Sequence, residues 1–248
     1  MRNIKVIILV ALVVFIAFAS YLVYEKVKGE QPFKSKITEK VQEIRLNDKV
    51  VAKVNDIPIY LSDVARQYYS ARYAYEIQKA YASKDIANML TEPDPIDLLN
   101  ANIDNMLLSQ YAKEKGYKPD KNYLNELINS QKESFFNLLK GTPDPNATPD
   151  SKVLFEEFSK LLNDEVNESG LSAEDYFNKR VVPTLEDSAT IYSMLNDLAN
   201  VNTQSQSQSE ISAARKTIKE NLIKELRGKA KIEIIDEESV IKLRNQKP

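Results

Sequence analysis

The sequence predicts a mainly helical domain with a small β element, preceded by one N-terminal transmembrane or signal helix. The chain has only five Gly in 248 residues, which leaves few tight turns for a sheet sandwich. Apolar residues recur at helical spacing through most of the chain. Two short segments, residues 50–61 and 229–236, alternate apolar and polar residues instead. We therefore expect helices around one N-terminal hairpin and one C-terminal strand.

The first element is an apolar run from Val6 to Tyr24, which only Ser20 interrupts. Its length is close to the roughly 20 residues that cross a bilayer as a helix. Arg2 and Lys5 precede the run and favour a cytoplasmic N-terminus. The residues predicted to form the membrane anchor are Val6, Leu9, Leu12, Phe15, Phe18, Tyr21 and Tyr24.

Two fates of this segment remain open. Tyr21 and Tyr24 suit the aromatic belt of a retained signal anchor. The small-x-small sequence from Ala17 to Ala19 fits a signal peptide that is cleaved after Ala19. Both alternatives predict export. The retained anchor predicts a single-pass membrane protein with an extracytoplasmic domain, and cleavage predicts a secreted one.

The composition of the chain argues against several classes of function. Lys and Arg number 34 against 36 Asp and Glu, so there is no basic excess to favour nucleic acid. The absence of Cys rules out a disulfide framework and a lipid-modified N-terminal Cys. The absence of His removes the commonest general base and most zinc sites. We expect a chain that is not an enzyme, with no metal, no cofactor and no nucleic-acid partner.

The alternating segments predict a small sheet. Residues 50–54 and 57–61 alternate on either side of Asn55-Asp56, which is the pattern of a hairpin. Pro58 has no amide hydrogen, so its strand is expected at an edge of the sheet. The strand at residues 229–236 is too short to stand alone. Its expected partner is the upstream hairpin.

Capping residues and glycines delimit the helices. Ser62 is the expected N-cap of the first helix, and Asp94 with Pro95 starts the second, which Gly116 ends. Pro183 is expected to bend or break its helix. The predicted helices cover about residues 63–90, 95–116, 120–135, 153–170, 172–198 and 210–227, with a proline-containing loop at 141–150.

The predicted organisation has four parts. Residues 1–24 form the anchor or signal, and residues 25–49 form a charged stalk with helical spacing of its apolar residues. Residues 50–236 form the domain, with a flexible Gln- and Ser-rich linker at 200–209. Residues 237–248 are expected to be a C-terminal tail.

Four segments of this domain resemble, in order, the SurA/PrsA-type chaperone module. Residues 50–64, VVAKVNDIPIYLSDV, look like its opening, with Asp56 where the family normally has Gly. Residues 98–116 are similar to its next apolar helix, residues 170–177 to its "GLTxEEY" element, and residues 225–234 to its "LxxKAKIEI" ending. The resemblance implies a helical SurA-N-like domain that binds unfolded exported chains.

One departure from the family pattern bears on activity. Related proteins commonly carry a parvulin peptidyl-prolyl isomerase domain between the chaperone helices and the closing helix and strand. This chain has only the linker at 200–209 in that position, and it lacks the histidines typical of a parvulin site. The resemblance therefore implies a chaperone lobe without the isomerase.

The tyrosines of the first predicted helix are the candidate peptide-binding residues. Tyrosine offers a large amphipathic contact area at low entropic cost, which suits promiscuous peptide binding. The alternative is that one stripe packs in the core and the others are singly exposed. The candidates are Tyr68, Tyr69, Tyr73, Tyr75 and Tyr81.

Our first functional hypothesis is an extracytoplasmic, membrane-tethered holdase for unfolded or exported polypeptides, without isomerase activity. It rests on the family resemblance together with the export signal. The alternative is a membrane-anchored interaction module that holds one specific envelope or secretion component. The two hypotheses differ in whether many clients or one stoichiometric partner copurify with the protein.

Overall fold

The computed structural model describes residues 37–81, 89–145, 149–200 and 207–246. Within these ranges the fold is mainly helical with one three-stranded antiparallel sheet, as predicted. The predicted anchor residues from Val6 to Tyr24 lie outside the described residues. The first described element is helix α1, Ile37–Leu46.

Helix α1 belongs to the folded domain. Val41 is 4% exposed and sits in the main core, with Ile44 packed beside it. The predicted stalk at residues 25–49 therefore ends earlier than expected, because Val41 and Ile44, three residues apart, lie on one apolar face of the helix that packs into the domain.

The sheet has the strand order β2-β1-β3, with β1 at Val50–Val54, β2 at Ile57–Tyr60 and β3 at Ile232–Ile234. Both pairings are antiparallel, so the predicted hairpin, the edge position of Pro58 and the closure by a C-terminal strand are confirmed. Asn55 and Asp56 have φ of 49° and 67°. Two consecutive positive φ angles are what a twist-compatible two-residue hairpin turn requires, and Asn and Asp tolerate them.

Helix α2 spans Leu61–Tyr81. Ser62 was expected to be its N-cap, but Ser62 is already the second residue of the helix. The carboxylate of Asp48 does the capping instead. It accepts hydrogen bonds from the Ser62 amide at 3.1 Å and from the Ser62 hydroxyl at 2.5 Å. The predicted extension to Leu90 is wrong at its end, since Met89 and Leu90 are not helical.

The next two helices follow the predicted signals. Helix α3, Pro95–Glu114, is capped by Asp94, which accepts a hydrogen bond from the Ile96 amide at 2.8 Å, and Gly116 follows it at φ 74°. Helix α4, Lys121–Lys140, starts at the predicted Asp120. Gly141 then ends it in the left-handed conformation that glycine adopts without strain.

The third helical group has a different shape from the prediction. Helix α5, Pro149–Glu168, starts inside the loop predicted at 141–150. Helix α6, Ala173–Tyr176, is capped by Ser172 and runs through a π turn at Phe177–Val181 into helix α7, Val182–Leu198. The π turn ends at Val181 and Pro183 is the second residue of α7, so the missing amide donor falls at the junction of the two elements and the chain passes from α6 into α7 without a break.

The C-terminal elements are more extensive than predicted. Helix α8, Gln208–Lys229, starts at a capping box between Ser207 and Glu210, inside the predicted linker, and passes through Gly228. Helix α9, Glu237–Lys242, and a 3-10 turn at Leu243–Asn245 replace the predicted tail. Val240 is 0% exposed and Leu243 is 1% exposed, so this segment is held by core packing.

Helix α3 is the centre of the fold, since α2, α7, α8, α9 and β1 all pack against it. The main core lies between the sheet and α1, α2, α3 and α9. A second core joins the C-terminal half of α3 to α7 and α8, and a third lies among α4, α5 and the start of the α6–α7 unit. One side of α3 is left facing an open cleft.

Candidate functional site

An open cleft of about 710 Å³ lies between the edge strand β2 and the helices α2, α3 and α7. Its volume falls within the roughly 300–1,000 Å³ of typical ligand sites. The apolar part of its lining includes Ile57, Pro58, Ile59, Met106 and Ile191. Helices α2, α3 and α7 contribute the polar residues around it.

The hairpin turn is held beside the cleft by Gln110 of α3. Its side-chain amide donates to the Val54 carbonyl at 3.3 Å and accepts a hydrogen bond from the Asn55 amide at 2.7 Å. These bonds connect α3 to the turn between β1 and β2. Ile57, the first residue after the turn, is 47% exposed at the cleft.

Ion pairs neutralise the charged residues of the cleft. Lys113 of α3 pairs with Asp187 of α7 at 2.9 Å. Arg66 of α2 pairs with Glu165 of α5 at 2.8 Å and approaches Asp63 at 4.0 Å. The four charged residues of the lining, two acidic and two basic, carry no net formal charge, although Asp63 shares Arg66 with Glu165 of α5.

The Arg66–Glu165 pair also ties α5 to α2. Burial by itself lowers the pKa of Arg66, but the carboxylates of Glu165 and Asp63 outweigh it, so the net pKa is raised and the guanidinium stays charged. Burial, followed by the neighbouring Glu165, raises the pKa of Tyr176. Arg66, Glu165 and Tyr176 thus join α2, α5 and α6, and Arg66 itself lines the cleft.

The edges of the sheet are poorly suited to accept an added strand. Pro58 removes a donor from β2. Strand β3 is three residues long and carries Glu233, which pairs with Lys231 at 2.8 Å. Proline, short strands and charged side chains are the devices that protect sheet edges from pairing. The cleft, rather than a sheet edge, is the candidate site.

Three of the candidate tyrosines lie in the core. Tyr68, Tyr69 and Tyr73 are 1%, 0% and 2% exposed. Tyr69 donates a hydrogen bond to Gln246 at 2.6 Å, and burial raises its pKa to about 12. Tyr73 meets Phe158 of α5 edge-to-face at 6.4 Å. These three rings therefore pack in the core, as the alternative predicted, and in this conformation they are not accessible to a peptide.

The other two candidates are not in the cleft lining either. Tyr75 is partly buried, with Arg72 and Lys79 over its ring at 5.8 Å and 5.2 Å. The side chain of Tyr81 lies outside the described residues. None of the five candidate tyrosines is among the described residues that line the cleft.

Sequence reasoning missed the cleft residues of α3. Asn102, Asn105 and Ser109 lie at spacings of three and four on the polar side of a helix whose apolar side is readily recognised. Uncharged polar residues repeating at helical spacing are the signal that could have found them. That they meet a cleft depends on where β2 and α7 lie.

The described residues contain neither a membrane-spanning helix nor a metal-binding cluster. No helix in residues 37–81, 89–145, 149–200 or 207–246 is both long and apolar enough to span a membrane. In the same ranges no three metal-ligating side chains come together in a way that could hold an ion. The anchor and the absence of a metal both stay predictions.

The fold is thus a mainly helical module, closed by a sheet of its N- and C-terminal strands, with an open and charge-balanced cleft. The chain belongs to the family of SurA-like N-terminal domains, whose model matches residues 1–146. Membership makes it a chaperone-type module in general. No curated protein and no solved structure matches the chain.

The family match divides the cleft. The walls formed by β2, α2 and α3 fall within residues 1–146, whereas the wall formed by α7 lies beyond the match. Lys113 and Asp187, which pair at 2.9 Å, join the two parts. The cleft is therefore built partly from the family domain and partly from the C-terminal half of this chain.

Proposed function

We propose that the chain is a membrane-tethered chaperone that holds unfolded or exported polypeptides outside the cytoplasm. The SurA-like match over residues 1–146 carries the proposal, because it marks a chaperone-type module. The apolar run from Val6 to Tyr24 supports export and tethering. The open cleft supports polypeptide binding, since it combines apolar surface with polar side chains and has little net charge.

The proposed chaperone has no isomerase or other enzymatic activity. Helix α7 ends at Leu198 and α8 begins at Gln208, so the connection covers residues 199–207. Domains usually need at least about 50 residues. Related proteins carry a parvulin domain at this position. The connection in this chain is too short to hold such a domain, which supports the absence of isomerase activity.

Aggregation of a denatured client tests the proposed holdase. Full-length protein in mild detergent is mixed with a chemically denatured client, and light scattering is followed after dilution of the denaturant. We expect scattering to fall as the protein approaches equimolar amounts, while detergent alone has no effect. Scattering that stays unchanged at several-fold excess contradicts the proposal. Isomerisation of an X–Pro peptide, slow without a catalyst, is expected to keep its uncatalysed rate.

Copurification tests the partner class. After crosslinking in membranes, we expect many unrelated exported polypeptides to be recovered with the protein. A single folded partner in stoichiometric amount would instead support the anchored interaction module.

N-terminal sequencing of the native protein tests the tether. A retained anchor predicts that the chain starts at its original N-terminus and fractionates with membranes. A start at Ser20 in the culture fraction would contradict the anchor.

A further inference from the structure

The cleft contains uncharged polar side chains that the fold does not use. They come from α2, α3 and α7, and none of these side chains forms a hydrogen bond to another described residue. They are Gln67, Asn102, Asn105, Ser109 and Ser188. Three of the five follow one another along α3.

Other polar residues of α3 do have structural partners. Arg227 of α8 donates to the Asp104 carboxylate at 2.6 Å and to the Asn100 side chain at 3.2 Å. Gln110 bonds to the hairpin turn. Polar groups on the packed sides of α3 are thus matched within the protein, whereas Asn102, Asn105 and Ser109 are left available on the cleft side.

Their spacing suits an extended chain. A helix rises 1.5 Å per residue, so Asn102 and Ser109 are separated by about 10 Å along α3. An extended polypeptide covers that length in about three residues. Asn offers both a donor and an acceptor, and so does the Ser hydroxyl, so the row can match amide or carbonyl groups of a passing main chain.

The remaining surface of the cleft discriminates little between peptides of different sequence. Met106 lies within the same stretch of α3, and its flexible thioether adapts to differently shaped side chains. Both cations of the lining, Lys113 and Arg66, are already paired with Asp187 and Glu165. An anionic segment would therefore find no free cation here, and a cationic segment would find only Asp63, which already lies 4.0 Å from Arg66. This arrangement favours an uncharged segment.

We propose that the cleft binds an extended, uncharged stretch of polypeptide and recognises its main chain through Asn102, Asn105 and Ser109. The proposal rests on the proposed chaperone function and specifies its binding mode. Recognition of the main chain explains how one cleft accepts unrelated sequences. The apolar side chains of the segment then contact Ile57, Met106 and Ile191.

Fluorescence anisotropy of a short, end-capped peptide of Ala, Val, Ser, Thr and Tyr tests this binding mode on the full-length protein. The test variant combines Asn102→Leu, Asn105→Leu and Ser109→Ala. The matched control combines Asn125→Leu, Asn137→Leu and Ser130→Ala on exposed positions of α4. We expect at least about tenfold weaker binding for the test variant, and less than about twofold change for the control. Equal affinity of the test variant and the wild type overturns the proposal.

A second peptide, N-methylated at alternate residues, probes main-chain recognition directly and works on the wild-type protein. We expect it to bind wild type at least about threefold more weakly than the unmodified peptide. The test variant should bind both peptides alike. Equal binding of the two peptides by wild type overturns main-chain recognition whether or not the triple variant folds.

The two proposals can fail separately. If wild type and test variant suppress client aggregation equally and bind the peptide equally, the chaperone function stands and the cleft binding mode fails. If wild type does not suppress aggregation, the chaperone function fails, and the two peptides still decide whether the cleft binds a main chain.

Discussion

The aromatic face of α2 and the polar face of α3 make opposite use of their side chains. Tyr68, Tyr69 and Tyr73 are large and chemically versatile, yet all three are at most 2% exposed. Asn105 and Ser109 are small and unremarkable in the sequence, yet they line the open cleft. Burial of a large ring stabilises a fold more than its exposure would. The tyrosines of this face are therefore buried in the core, and the candidate binding surface consists of polar side chains that do not take part in core packing.

The largest effect should come from the aromatic face. Tyr69→Ala removes a fully buried ring and its hydrogen bond to Gln246. We expect the free energy of unfolding to fall by about 3–5 kcal/mol, as for other large-to-small changes in a core. Urea denaturation of the full-length protein measures it. Tyr75→Ala is the control, and its expected loss is below about 1 kcal/mol, because the partly exposed ring contacts the cations of Arg72 and Lys79 and its hydroxyl accepts a hydrogen bond from the exposed Lys79. Similar losses for both variants would contradict the contrast.

The C-terminal segment that covers the aromatic face should rank next. Leu243→Ala removes a side chain that is 1% exposed in the main core. We expect a loss of about 2–4 kcal/mol in urea denaturation. Ile241→Ala, at a side chain that is 38% exposed, should cost much less. If the two variants cost the same, residues 237–246 do not contribute to the core as described.

Alkaline pH should weaken the aromatic face selectively. The pKa of Tyr69 is raised to about 12 by burial, above its unfolded value of about 10. The stabilisation that comes from burying the neutral Tyr69 side chain is therefore complete below about pH 10 and is lost as the pH rises through about 12. The free energy of unfolding should fall by up to about 3 kcal/mol over this range. Tyr176, with its raised pKa, acts in the same direction. In denaturation series across this range, Tyr69→Phe should show a shallower decline, and an unchanged slope would contradict the assignment.

The ion pair between Arg66, which lines the cleft, and Glu165 should have a smaller effect. Arg66 and Glu165 are partly exposed, at 41% and 31% of their side chains. A double-mutant cycle with Arg66→Met and Glu165→Gln should give a coupling free energy of about 1 kcal/mol or less, and it should decrease with added salt. A coupling that is insensitive to salt would show that the pair is more enclosed than this geometry indicates.

The smallest effect on stability should come from the polar face of α3. Asn105→Leu alters an exposed side chain with no hydrogen bond to another described residue. We expect the free energy of unfolding to change by no more than about 0.5 kcal/mol. Peptide affinity, measured by anisotropy, should fall at the same time. A large stability loss without a change in affinity would show that Asn105 has a structural role.

Much of the fold was predictable because its signals are local. Asp94 before Pro95, Asp120 before α4, and Gly116 after α3 act through hydrogen bonds and backbone angles within one turn of the chain. The errors arose where distant residues decide. Asp48 caps α2 in place of Ser62, and Leu243 is recruited into the core although its local sequence is highly charged.

The candidate site was less predictable than the fold. The tyrosines were conspicuous by residue type, but residue type does not tell which face of α2 meets the core. Gln67, Asn102 and Ser188 are separated widely in the chain, and only the packing of α2, α3 and α7 brings them to one cleft. A polar stripe on a helix has the same appearance in sequence whether it faces bulk water or a cleft.

Sequence alone was enough for the helical class and the hairpin, because periodicity and capping are encoded over a few residues. The partner of the C-terminal strand followed because the hairpin was the only other strand signal, and the family followed from the resemblance of four segments in order. Tertiary structure alone decided that Tyr69 is core, that residues 237–246 complete that core, and that α3 exposes its polar face to an open cleft. These outcomes depend on contacts between residues far apart in the chain. Which surface is buried is settled by all the packed elements together.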